Sequence, residues 1–117
     1  MEQILIALEE KGCDISGGLK RFMNNEAIYL KYLNKFPEEK TMSQFIEALN
    51  SGDYECAAQE IHTFKGITGN LGLTELFELS KEMMVLLKEN EYEKAERYAK
   101  KIETAYETCI NIIRETR

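Results

Sequence analysis

The chain has one histidine, one proline, three cysteines and no tryptophan among its 117 residues. With Pro37 alone, and no run of alternating β-branched residues, nothing calls for strands, and the class is all-α. No apolar stretch approaches the roughly 20 residues that span a bilayer. The start, Met1-Glu2-Gln3-Ile4-Leu5, lacks the basic opening and apolar core of a signal peptide, so no membrane partner and a cytoplasmic location are expected. Cys13, Cys56 and Cys109 are odd in number and far apart, which reads as reduced, buried thiols. One histidine and no close cysteine pair leave no ligand set for a metal. There is no Gly-rich nucleotide loop, and one domain over residues 1–117 leaves no room for an ATP-binding one. Fifteen basic against 21 acidic residues give a net charge of −6, which argues against nucleic acid as a partner.

What is present is helical periodicity. Positions 2–10 carry Ile4, Leu5 and Leu8 and end at Gly12. Asp14 caps a second short helix running through Leu19, Phe22 and Met23, broken by Asn24-Asn25. A third spans Glu26 to Lys35 with Ile28, Tyr29, Tyr32, Leu33 and Phe36 inward, and Pro37 stops it. Thr41-x-x-Gln44 matches a capping box for a helix with Met42, Phe45, Ile46 and Leu49 inside, ending at Asn50-Ser51-Gly52. Asp53 caps the helix bearing His62, which closes between Gly69 and Gly72. Leu73 to about Leu87 is apolar over a wide face. Asn90-x-x-Glu93 suggests a further cap, before a last helix with Tyr92, Ala95, Ala99, Ile102, Tyr106, Cys109 and Ile113 on one side. Short loops make successive helices antiparallel neighbours. The expected fold is an antiparallel four-helix bundle with additional short N-terminal helices, and a monomer.

The lone histidine sits in His62-Thr63-Phe64-Lys65-Gly66-Ile67-Thr68-Gly69-Asn70-Leu71-Gly72. At about 100° per residue, the apolar stripe of Tyr54, Ala57, Ala58, Ile61, Phe64, Thr68 and Leu71 centres roughly 130° from His62. His62, Lys65, Gly66 and Gly69 share a sector on the other side. Each glycine costs about 1 kcal/mol relative to alanine in a helix, so helix stability does not select them. A bare backbone admits close approach. It leads here to an imidazole, a good nucleophile when neutral, with an ammonium one turn away to meet an anion. The residues point to phosphoryl uptake by His62 from a bulky donor, with Lys65 stabilising the phosphate and Gly66 and Gly69 as the docking surface. The acidic net charge does not oppose this, because exposed charges beyond about 8 Å are screened at physiological salt.

His62-x-x-Lys65-Gly66 followed by Gly69-Asn70-Leu71-Gly72 resembles the signature of histidine-containing phosphotransfer (HPt) domains of two-component phosphorelays. Gly18-Leu19-x-Arg21-Phe22, Tyr29-Leu30 through Leu33 to Phe36-Pro37, and Leu49-x-x-Gly52-Asp53 are similar to its lead-in, so the resemblance runs over positions 12 to 87. It implies in-line transfer: a receiver domain of a response regulator presents its phospho-aspartate to His62, and the phosphohistidine then serves another receiver. A hybrid sensor histidine kinase is the implied source of phosphate. The chain itself holds no cofactor, and Mg²⁺ belongs to the receiver. The resemblance makes the chain a carrier and not an enzyme, with Lys65 offsetting charge on the equatorial oxygens.

Met84 departs from the family pattern, which commonly places a polar Gln or Glu-type side chain there beside the histidine; Glu55 and Gln59 are the substitutes the sequence offers. Two other readings stand beside the relay. A helical adaptor that binds a receiver or another signalling protein without being phosphorylated would keep its function in His62→Gln. A bundle hydrolase would need further acidic or histidine residues around His62, and the sequence shows no such cluster.

Overall fold

The computed structural model describes residues 2–116, which form α1 (Gln3–Glu10), α2 (Ile15–Arg21), α3 (Glu26–Lys35), a 3-10 turn (Phe36–Glu38), α4 (Thr41–Asn50), α5 (Tyr54–Leu71), α6 (Thr74–Lys88) and α7 (Tyr92–Thr116). The described residues include no strand. Helices α4 to α7 make the expected antiparallel bundle: α5 lies between α4 and α6, α6 packs on α7, and α1 runs along α7. Helices α2 and α3 gather at the C-terminal end of α5.

One core holds these elements together. Tyr29, Leu33, Phe45, Leu49, Ile61, Phe64, Met83 and Ile102 are all fully buried in it. Each such side chain contributes about 1.5–3 kcal/mol by leaving water. Phe36, at the 3-10 turn forced by Pro37, is locked between Phe64 and Tyr106 at ring separations of 5.8 and 5.7 Å. Along α7, Ala95, Ala99, Ile102, Cys109 and Ile113 are buried as their spacing predicts.

The helix ends show where local pattern and fold part company. Asp14 and Asp53 cap α2 and α5 as predicted, accepting from the Gly17 and Cys56 N–H groups at 3.0 and 3.2 Å. The capping box does not form. Lys40 flanks α4 without a side-chain cap, and Thr41, already the first helical residue, is buried with its hydroxyl donating to Glu39 at 2.8 Å. The preceding 3-10 turn has brought the Glu39 carboxylate within its reach. Asn90 is not a cap for α7 either. It takes a left-handed conformation (φ 59°) that ends α6, with the Glu91 N–H returning to the Leu86 carbonyl at 2.9 Å, a role asparagine fills because it tolerates positive φ. Helix α2 stops at Arg21, so Met23 falls in the turn and is 89% exposed. Ile28 and Tyr32, assigned to the inner side of α3, are exposed, because that helix is buried only along Tyr29 and Leu33.

Candidate functional site

Helix α5 is fixed at its start by the Asp53 cap and by Tyr54, whose ring stacks on Tyr92 at 3.8 Å, nearly parallel. Ala57, Ile61, Phe64, Thr68 and Leu71 are its buried face. With those residues inward, His62 is exposed, together with Thr63 and Gly66. The ring stands clear of the bundle, as the 100° geometry requires.

Among the described residues no group hydrogen-bonds the imidazole. The Thr63 hydroxyl turns to the Gln59 carbonyl at 3.2 Å, and neither Glu55 nor Gln59 takes up the orienting role suggested for it. Met84, half-buried in the groove between α5 and α6, has no hydrogen to donate to a ring. The histidine is thus presented by its backbone and rotamer alone.

Lys65 lies half-buried one turn from His62, with its ammonium 5.8 Å from the centre of the Phe77 ring on α6. Lys81 approaches the same ring at 5.7 Å. Contacts of this kind are worth about 0.5–1 kcal/mol at exposed sites, little enough for the ammonium to leave the ring for another partner.

The two glycines that share a sector with His62 separate. A side chain added at Gly66 would meet nothing within 4 Å, whereas at Gly69 a Cβ would lie 3.0 Å from two ring carbons of Phe77. Gly69 therefore has a packing reason: it lets α6 close onto α5. Gly66 has none inside the fold.

The C-terminal end of α5 is held by the N-terminal helices. Gly72 ends the helix in the left-handed conformation (φ 75°), and the Leu73 N–H returns to Thr68 at 2.9 Å. The outward carbonyls then find donors: Arg21 Nε reaches Asn70 O at 3.0 Å, the Tyr29 hydroxyl reaches Leu71 O at 2.7 Å, and the Asp14 N–H reaches Gly72 O at 2.8 Å. Burial pushes the Tyr29 phenol well above its ordinary range, so it stays a donor. A side chain at Gly18 would collide with that hydroxyl, and one at Gly72 with the Asp14 carbonyl oxygen. Sequence reasoning missed this clamp. Its only signal was the general need of a helix end for donors to its last carbonyls, which does not say where they come from.

Cys13 and Cys109 line one cavity beside α1, α6 and α7, away from His62, and burial pushes their thiols up to about 11 and about 12. The described cysteines are unpaired, although only Cys109 is fully buried. Among the described residues no three His, Cys, Asp or Glu side chains gather as metal ligands, and no helix is long and apolar enough to cross a membrane.

A family model described as Hpt domain matches residues 38–112, from the turn before α4 to the last part of α7. No curated protein and no solved structure matches the chain.

Proposed function

The chain belongs to the Hpt domain family, whose members carry phosphoryl groups on histidine in phosphorelays, and on that premise we propose that His62 is the residue that carries the group here. The observation that carries the reading is the pairing of an exposed imidazole with Gly66, one turn on, over which the surface is open. A protein-sized donor can press against bare backbone there and bring its phosphorus to the ring.

The donor is a receiver domain of a response regulator, phosphorylated on aspartate. The unprotonated Nε2 of His62 attacks phosphorus in line, the Nε2–P bond forms, and the P–O bond to the aspartate breaks to return its carboxylate. The reverse step on a second receiver passes the group on. A hybrid sensor histidine kinase is the upstream partner. Mg²⁺ belongs to the receiver's acidic pocket, where it offsets charge on the transferring group; this chain supplies position and one cation. Lys65, within a helical turn of the ring, swings from Phe77 to an equatorial oxygen, and positioning with electrostatics is most of what such transfers need.

Incubation with a phosphorylated receiver domain and Mg²⁺, followed by intact mass, tests the proposal. The expected result is a gain of one phosphoryl group, labile in acid and absent in His62→Gln. A chain that stays at its starting mass with every receiver supplied, or His62→Gln gaining the same mass, sinks it.

A further inference from the structure

The cavity beside α1, α6 and α7 lies away from His62, and the relay chemistry makes no use of it. It measures about 250 Å³, and its walls include Leu8, Leu73, Leu76 and Ile112 with the thiols of Cys13 and Cys109. At about 30 Å³ for each non-hydrogen atom of a small liquid such as water, that is room for roughly eight such atoms. Burial keeps both thiols protonated, at about 11 and about 12. They therefore line the wall as small apolar groups and offer no thiolate to a metal or an electrophile. Among the other lining residues Lys11, Glu75 and Thr108 are exposed and stand at the mouth.

Two opposite charges come to that mouth without neutralising each other. The ion pairs of the described residues join Lys81 to Glu78 and Lys94 to Glu91. Neither Lys11 nor Glu75 has a partner of opposite charge among the described residues. The Glu75 carboxylate stands near both thiols, since its charge adds to the rise of each. Lys11 follows the last turn of α1 and Glu75 sits in the first turn of α6, so the charges reach the opening from elements far apart in the chain. The same junction carries the clamp on α5. Cys13 precedes Asp14, whose N–H holds Gly72 O at 2.8 Å, and Leu73 follows that carbonyl.

A ligand matched to this cavity has a small apolar body, a cation for Glu75 and an anion for Lys11. A lone amine leaves the lysine unmet, and a lone fatty acid sets its carboxylate beside Glu75. A free apolar α-amino acid carries both charges on one carbon, with a side chain of the right size and character beyond them. We propose that the cavity is a binding site for such an amino acid, of about the size of leucine, with its side chain between the leucine and cysteine walls, its ammonium at Glu75 and its carboxylate at Lys11. The ligand then joins the end of α1 to the start of α6 and braces the junction that holds Gly72, so binding stabilises the fold. The inference stands apart from the relay reading, and its test uses no phosphoryl donor.

Titration calorimetry and thermal melting of the full chain with leucine, isoleucine, methionine and phenylalanine test the proposal. Beside them stand glycine, which lacks the side chain, 4-methylpentanoate, which lacks the ammonium, and leucinamide, which lacks the carboxylate as the N-terminus of a peptide does. At least one of the four amino acids is expected to bind saturably and to raise the melting temperature by about 4 °C or more at ten times its Kd. Leucinamide and 4-methylpentanoate are expected to bind about tenfold or more weaker than leucine, each having lost a charge-assisted hydrogen bond, and glycine to give no shift. Glu75→Gln should bind leucine no better than 4-methylpentanoate, Lys11→Gln no better than leucinamide, and Lys31→Gln, on the distant α3, should behave as the parent. Circular dichroism checks that the variants fold, which their exposed side chains permit. No saturable binding of any of the four amino acids overturns the proposal. Either analogue binding as tightly as leucine overturns it too, because one of the two charges is then unread. Undiminished binding in both Glu75→Gln and Lys11→Gln places the ligand elsewhere on the chain and overturns it as well.

Discussion

The Tyr29 hydroxyl donates to the Leu71 carbonyl at 2.7 Å across 42 positions of sequence, and both residues are buried. The bond ties the third helix to the last turn of the helix that bears His62. The N-terminal segment, most of which precedes the residues matched by the family, is thereby built into the base of the candidate site.

Removing that hydroxyl leaves a buried carbonyl unpaired, which costs about 1–3 kcal/mol. Tyr29→Phe is expected to lower unfolding stability by that amount in urea denaturation, with His62 still phosphorylated. Gly72→Ala should cost about 2 kcal/mol or more, since alanine resists positive φ and its Cβ meets the Asp14 carbonyl. Variants as stable as the parent would show that the clamp is not needed to hold α5.

Gly66→Ala and Gly69→Ala are expected to diverge. At Gly66 alanine adds about 1 kcal/mol of helix stability, because nothing in the fold opposes the methyl group. The same methyl obstructs a receiver pressed against α5, so transfer slows while thermal stability rises. At Gly69 the propensity gain is offset by displacing Phe77, and that variant should melt below Gly66→Ala. Thermal melts beside transfer rates check both halves.

Lys65→Ala should leave the fold intact and slow transfer by about 10²-fold, the scale at which one charge-stabilising group acts in phosphoryl chemistry. Lys65→Arg should recover part of the rate. A loss of stability greater than about 1 kcal/mol in Lys65→Ala would show instead that its contact with Phe77 is structural.

The thiols of Cys13 and Cys109 give a pH signature. Unfolded cysteine titrates near 8.5, whereas burial holds Cys13 up to about 11 and Cys109 up to about 12. Above pH 9 the unfolded chain sheds these protons first, so the folded state binds more protons and stability falls as pH rises. Their contribution is complete at neutral pH and lost through pH 11 to 12. Urea midpoints should hold steady from pH 7 to 8 and fall beyond pH 9, and more gently in Cys109→Ala. At pH 8 both thiols should react slowly with iodoacetamide, since the thiolate is the reactive form.

Much of this molecule was legible in its sequence because its helices obey local rules. The 3.6-residue period placed the buried face of α5, and with it the outward turn of His62. Aspartates before apolar runs marked two caps correctly. Local rules failed where a neighbour in space competed for the same group: Thr41 turned to Glu39, Asn90 was taken to end α6, and Ile28 and Tyr32 stayed outside because α3 is buried along only one narrow line.

The order of the helices, the exposure of His62 and the reduced state expected of the cysteines were set by the sequence itself, since periodicity and composition act over a few residues. Tertiary structure alone decided that Gly69 serves Phe77 while Gly66 serves no neighbour, that Tyr29 closes the end of α5, and that Lys11 and Glu75 stand at the mouth of one apolar cavity. Those facts depend on which side chains two separate helices bring to the same point, and no spacing within one helix encodes the register between two.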